Sequence, residues 1–290
     1  MEPISIAEAA DALRARVIGS AEGRATSIST DTRRGVQGAL FFALRGESTD
    51  GHQFVAQAFH QGAAGAVVEH EIVGAGAPQL VVADTLEALG NLARFYRRRF
   101  DIPVVAVTGS VGKTSTKEMI ACALNARYRT LASEKNFNNE IGVPHTLFAL
   151  EHTHQAAVLE MAMRGPGQIA RLAEIARPSV GVITNIGLSH IELLGSRQAI
   201  ASAKAELLES LPIDGIAVLP ADDDYFAFLR DRCPCPIITF GVEKPADFRA
   251  SEVTFSEEGA PRFRIHGVEV TLRAPGVHHV VNATAACAAA

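Results

Sequence analysis

Short apolar runs alternate with amphipathic stretches along most of this chain, and the spacing changes character twice. Between residues 1 and 83 the elements are brief. Residues 6–16 carry apolar positions at helical spacing, 27–32 and 39–44 read as strands, 54–61 as a helix, and 65–68 and 79–83 as strands. This predicts a small N-terminal α/β domain over 1–83. Asp84-Thr85-Leu86-Glu87 then has the form of a helix start, with Asp as N-cap and Glu three residues later. Leu86, Leu89, Leu92, Ala93 and Tyr96 give that helix an apolar face, and Arg97-Arg98-Arg99 close it where positive charge suits the helix dipole. Asp101-Ile102-Pro103 breaks it, and a second domain is assigned to 84–290.

From residue 104 onward, strands and helices alternate. Val104-Val105-Ala106-Val107 reads as a buried strand and 116–126 as the helix that follows. Residues 143–150 predict a short helix, 157–159 a strand, 168–176 a helix, 180–184 a strand and 198–208 a helix, and 216–219, 224–229 and 237–240 continue the alternation. Such repetition implies an α/β fold with a mostly parallel, doubly wound sheet. Beyond about residue 245 the period becomes two. Residues 248–255, 262–266 and 269–272 read as antiparallel hairpins with Gly267 at a turn, and 282–290 as a helix cut short.

Composition narrows the partners more than the fold. The 290 residues are 48% hydrophobic and 20% charged, with net charge −5 and no basic stripe, which argues against nucleic acid as a partner. No apolar run approaches the ~20 residues of a membrane helix, and Met1-Glu2-Pro3-Ile4-Ser5 carries no basic leader, so no membrane insertion and a cytoplasmic location are expected. No motif for an oligomer is visible, and a monomer is expected. Cys122, Cys233, Cys235 and Cys287 form neither a disulfide framework nor a zinc site, and read as reduced thiols.

The densest chemistry lies between the first strand and first helix of the second domain. Gly109-Ser110-Val111-Gly112-Lys113-Thr114-Ser115 is a glycine turn opening a helix. In that position backbone N–H groups can wrap a phosphate, helped by the partial positive charge of the helix start. Lys113 would reach the β- and γ-phosphates of a nucleotide and the Thr114 hydroxyl would hold Mg²⁺. The general motif wants a glycine where Val107 stands, so this is a shorter form. In open α/β sheets ligands bind at the carboxyl ends of strands. Glu160 ends the 157–159 strand, and Asn185 and His190 follow 180–184, so a carboxylate, an amide and an imidazole converge on the same edge. Hard Mg²⁺ suits Glu160 and Thr114, whereas His190 is a less typical ligand that could also orient water or simply belong to a loop.

Asn136, Asn138 and Asn139 are either turn formers or neutral hydrogen bonders for phosphate or carboxylate. Ile200, Lys204, Leu207, Leu208 and Leu211 share a helix face, which puts the Lys204 ammonium among apolar neighbours. It either snorkels out or is desolvated enough to form a carbamate with CO₂. In the first domain Arg33, Arg45 and His52 either clamp an anionic ligand or do ordinary loop work.

These blocks resemble the Mur ligases of peptidoglycan synthesis. The resemblance is carried by Thr108-Gly109-x-x-Gly112-Lys113-Thr114, Asn136-Phe137-Asn138-Asn139-x-Ile141-Gly142-x-Pro144, Glu160-Met161-x-Met163-Arg164-Gly165 and Asn185-Ile186-Gly187-x-Ser189-His190-x-Glu192. Ser133-Glu134-Lys135-Asn136 with its continuation is similar to the MurF branch, which joins D-alanyl-D-alanine to UDP-N-acetylmuramoyl-tripeptide. Asp31-Thr32-Arg33, Arg45-Gly46 and Asp50-Gly51-His52 resemble its UDP-sugar-binding domain.

The resemblance implies ATP and Mg²⁺ as cofactors and an acyl-phosphate intermediate. It implies Lys113, Lys204, His190 and Asn138 as catalytic residues, Thr114, Glu160 and His190 as metal ligands, and 109–115 with Asn282 as the ATP site. Asp31, Thr32, Arg33, Arg45, Gly46 and His52 are implied for the UDP-substrate. Lys204 aligns with a lysine carbamylated in several members. Two positions depart from the pattern: Pro220 stands where members have Asn, and His279 where members have an adenine-contacting Asn. The family's C-terminal domain, roughly 150 residues by typical domain size, is expected to be missing, so the chain is expected to bind both ligands but ligate poorly. D-alanyl-D-alanine-dependent phosphate release at normal turnover would overturn that. The rivals are a sibling Mur ligase, a folylpolyglutamate synthase, and a nucleotide-binding module without ligase activity.

Overall fold

Val104–Thr108 is buried at all five positions, because it lies inside a sheet covered on both faces. The computed structural model describes every residue except Glu47, Ala77, Lys135 and His190. The chain divides into two compact units, Met1–Asp101 with Glu140–Glu151, and Ile102–Asn139 with His152–Ala290.

The second unit is built on a seven-stranded sheet. Its order is Phe248–Arg249, Ile237–Gly241, Ile216–Pro220, Val180–Ile183, Val104–Thr108, Ala156–Glu160 and Thr130–Ala132, and every pairing is parallel. Val104–Thr108 comes first in the chain yet sits inside the sheet. The chain runs to the edge strand Thr130–Ala132, returns to Ala156–Glu160 beside Val104–Thr108, then crosses and winds outward on the other side. That reversal leaves a crevice at the carboxyl end of Val104–Thr108.

Alternation along the strands assigns the faces. Val105, Val107, Val158, Val182 and Val218 pack with Ile120 and Leu124 of helix Lys113–Asn125 and with Ala285 and Ala286 of helix His278–Ala289. On the opposite face Gly181 lets Leu207 and Leu211 approach, so helix Arg197–Glu209 lies close against the sheet. The expected strand 248–255 is two pieces. Phe248–Arg249 extends the parallel sheet, while Ser251–Phe255, Pro261–Ile265 and Val268–Thr271 form a separate antiparallel sheet turning at Gly267. Its apolar side packs on Val280 and Ala283.

The first unit carries a five-stranded sheet, Arg16–Ile18, Gln79–Val81, Gly65–Val68, Ala39–Phe42 and Ser27–Ser29, parallel except at Arg16–Ile18. It reaches past the expected boundary at 83. Helix Thr85–Arg97 belongs to it because the buried Tyr96 hydroxyl donates to Leu150 O at 2.6 Å and accepts from Glu2 N at 2.7 Å. Helix Gly142–Phe148 joins it for the same reason, packing on Thr85–Arg97. Among the described residues no helix is long and apolar enough to cross a membrane, and all four cysteines are free thiols.

Candidate functional site

The chain leaves Val104–Thr108 and starts helix Lys113–Asn125 after four residues, with Gly112 in the left-handed region at φ +82°. A side chain at Gly112 would also strike Asn282, and one at Gly109 would strike Thr184 Oγ1. The two glycines are therefore required by backbone conformation and by close neighbours. The first helical bond runs from Thr116 N–H to Gly112 O at 2.9 Å. The N–H groups of Lys113, Thr114 and Ser115 thus have no partner within the helix and suit an anion.

The loop itself is held by the end of the next strand. Val111 N–H donates to Asn185 Oδ1 at 3.1 Å, and Val111 O accepts from Thr184 Oγ1 at 2.6 Å and Asn185 Nδ2 at 3.0 Å. Ser110 N–H donates to Asn185 O at 3.0 Å, Ser110 Oγ accepts from Gly187 N–H at 2.8 Å, and Ser110 O accepts from Ser189 Oγ at 3.1 Å. Ser110 and Val111, expected among the phosphate contacts, have their N–H groups committed to this clamp. Asn185 is likewise turned onto the loop's backbone.

Two ammonium groups meet at one carbonyl. Lys113 Nζ donates to Gly109 O at 3.0 Å and to Ser110 O at 3.4 Å, while Lys204 Nζ donates to Gly109 O at 2.9 Å. Lys204 is 2% exposed, so it does not snorkel. Burial, and next the Lys113 charge, push its pKa down to about 7. Burial also lowers Lys113, against the opposing pull of Glu160.

Glu160 is buried at the end of Ala156–Glu160. Its Oε2 accepts from Thr114 Oγ1 at 2.7 Å and its Oε1 from Asn138 Nδ2 at 2.8 Å. Its own N–H donates to Ser133 Oγ at 2.9 Å. Among the described residues no cationic side chain pairs with it. An all-oxygen pair from Glu160 and Thr114 fits a hard cation. Asn138 positions that carboxylate. His190, expected as a ligand, lies outside the described residues. Asn282 comes from helix His278–Ala289 and stands against Gly112. His279, one turn earlier, has a buried Nδ1 without a hydrogen-bond partner among the described residues, and burial lowers its pKa.

In the first unit the expected substrate residues are engaged with one another. Arg33 forms a forked pair with Asp31 at 2.8–3.2 Å, which holds the Asp31 carboxyl down at about 2. Thr32 is buried between them in sequence. Arg45 pairs with Glu69 at 3.0 Å, and Gly46 N–H closes a turn onto Thr49 O at 2.8 Å. Both ring nitrogens of His52 are used: Nδ1 lies 2.6 Å from Asp50 Oδ1, and Nε2 accepts from Glu69 N–H at 2.9 Å. His52 therefore braces its loop, and of the expected substrate residues Arg33 and Arg45 are the exposed cations.

Comparison with known proteins decides which family this geometry serves. The model of the Mur ligase middle domain matches residues 107–290, and that of the Mur ligase family catalytic domain matches 24–97. The chain belongs to the Mur ligase family. Among relatives of this Mur ligase chain, the UDP-N-acetylmuramoyl-tripeptide–D-alanyl-D-alanine ligase of Synechocystis is 45% identical over 92% of this chain and 58% of its own length. The structure of MurF from Acinetobacter baumannii superposes with a TM-score of 0.94 at 36% identity, covering 99% of this chain and 64% of that one. MurF from Thermotoga maritima, solved in complex with ADP, gives 0.80 at 29% identity over 90% of this chain and 61% of that one. The chain thus spans about three-fifths of the length of these relatives.

Two participants escaped the sequence reading. Thr184 fastens the loop apex and keeps Gly109 a glycine. Lys117 is fully buried, with its ammonium on Ser133 O. Lys117, Ile120, Ala121 and Leu124 follow the same helical spacing that exposed Lys204, so the signal was present.

Proposed function

We propose that this Mur ligase chain carries the carboxylate-activating chemistry of an ATP-dependent amide ligase, and that its substrates are UDP-N-acetylmuramoyl-tripeptide and D-alanyl-D-alanine, used in the cytoplasm. In that reaction the tripeptide carboxylate takes the terminal phosphoryl group of ATP, releasing ADP, and the amine of D-alanyl-D-alanine then displaces phosphate from the acyl phosphate. The observation that carries this reading is the convergence of Thr114, Glu160, Lys113 and Lys204 on one short phosphate loop. Phosphoryl transfer needs placement and charge neutralisation more than a protein nucleophile.

Each residue then has a role. The N–H groups of Lys113, Thr114 and Ser115 bind phosphate oxygens. The Lys113 ammonium, now resting on backbone carbonyls, has no carboxylate ion pair among the described residues and can turn to the anion. Mg²⁺, when bound by Thr114 and Glu160, would neutralise phosphate charge. Asn138 aims the carboxylate of Glu160. Burial brings Lys204 down to about 7, so a substantial share of it is the neutral amine from which a carbamate forms. Asn282 would approach the nucleotide beside Gly112. Arg33 and Arg45 are the two first-unit cations proposed to take the UDP diphosphate.

Separate calorimetric titrations with MgATP, UDP-N-acetylmuramoyl-tripeptide and the UDP-dipeptide test the reading. Binding of MgATP and of the tripeptide in preference to the dipeptide is expected. Nucleotide binding without either UDP-peptide would make the chain a nucleotide-binding module, and preference for the dipeptide would make it a sibling ligase.

A further inference from the structure

Lys117 buries a full ammonium in the second unit, where a methionine of similar volume would fill the space without desolvating a charge. Its Nζ donates to Ser133 O at 2.5 Å and pairs with the exposed Glu118 at 2.7 Å. Ser133 is itself buried and tied at every polar atom. Its N–H donates to Val158 O at 3.0 Å, and its Oγ accepts the Glu160 N–H at 2.9 Å. Five residues on, Asn138 donates to Glu160 Oε1, and its carbonyl accepts from Ala162 N–H at 2.8 Å. Thr114, one turn before Lys117 on the same helix, takes the other oxygen of Glu160. One helix therefore grips the carboxylate twice, directly through Thr114 and indirectly through Lys117 and Ser133.

We infer that Lys117 is a positioning residue that sets the Glu160 carboxylate for its cation by anchoring the Ser133 carbonyl. This rests on the nucleotide-and-cation reading above. The polar chain Lys117–Ser133–Glu160 joins three separate elements, and neither Lys117 nor Ser133 needs to touch nucleotide or cation. Partners that orient a metal ligand in this way change metal affinity by about 10- to 100-fold when removed.

Lys117→Met, Ser133→Ala and the double variant provide the test, each checked for an unchanged thermal transition. Nucleotide affinity is measured with Mg²⁺ and with EDTA. In Lys117→Met the gain in affinity conferred by Mg²⁺ should fall about tenfold or more, while affinity in EDTA stays within about twofold because the phosphate loop is untouched. The double variant should lose no more than the worse single variant, since both act on one path. An unchanged Mg²⁺ gain, or additive losses, would overturn the inference.

Amide hydrogen exchange reads the same device without nucleotide. The Glu160 and Ala162 amides should exchange faster in Lys117→Met while Val104–Thr108 stays protected, and equal protection in wild type and variant would overturn the inference. Should the wild-type chain bind no nucleotide, the functional reading falls and the exchange result still decides whether Lys117 positions Glu160.

Discussion

The two units handle positive charge in opposite ways. In the first, Arg33 and Arg45 each meet a carboxylate, Asp31 and Glu69 respectively. Charge is cancelled where it arises, mostly at the surface. In the second, at the phosphate loop, the side-chain nitrogens of Lys113 and Lys204 rest on the carbonyl of Gly109. A carbonyl satisfies a donor without cancelling its charge. The phosphate loop therefore keeps the charge of Lys113 beside helix N–H groups, while Arg33 and Arg45 sit in separable ion pairs.

The largest expected effect tests whether the buried charge is as costly as this contrast requires. Lys204 titrates at about 7 when folded, against an ordinary value of 10.5. Between those values the unfolded chain binds the extra proton, so wild-type stability rises with pH, by up to about 1.4 kcal/mol per unit. Lys204→Met lacks that slope. Its advantage in urea denaturation should be greatest below pH 7 and shrink toward pH 10, and a pH-independent difference would show that the lysine is not desolvated.

Next comes Lys113→Met, which should weaken ADP binding by about 2–3 kcal/mol, roughly 30- to 150-fold in Kd by calorimetry. An unaltered Kd would move the anion elsewhere. His52→Leu should destabilise the first unit by about 1–3 kcal/mol, because the Glu69 N–H loses its acceptor in a buried site. Arg33→Ala stands last. Its exposed pair should leave the thermal transition almost unmoved, whereas affinity for the UDP-peptide should fall in titration. A large loss of stability instead would mean that Arg33 serves the fold.

Much of this was legible in the chain. The strand, glycine loop and helix around Lys113 are local in sequence, and each carries its own signal. The burial of Lys204 follows from helical spacing alone. What stayed hidden depends on partners far along the chain or on side-chain direction. The pattern showed an amphipathic helix at Thr85–Arg97, yet its membership of the first unit is settled by Tyr96 reaching Glu2 and Leu150. Thr130–Ala132 and Arg16–Ile18 are three-residue strands, too short to show a period. Asn185 was placed at the correct edge, but nothing in its spacing tells that its amide turns inward to Val111. The pairing of Arg45 with Glu69 spans 24 positions and leaves no periodic trace.

The grip of Thr184 and Asn185 on Val111 bears on the rate and entropy of binding. A glycine-containing loop would ordinarily sample many backbone states and lose that freedom when an anion arrives. Here the apex peptide is immobilised during folding, by side chains that carry no charge. Ligand capture then requires little beyond reorientation of one lysine side chain, so association should be limited by diffusion into the crevice rather than by ordering of the loop.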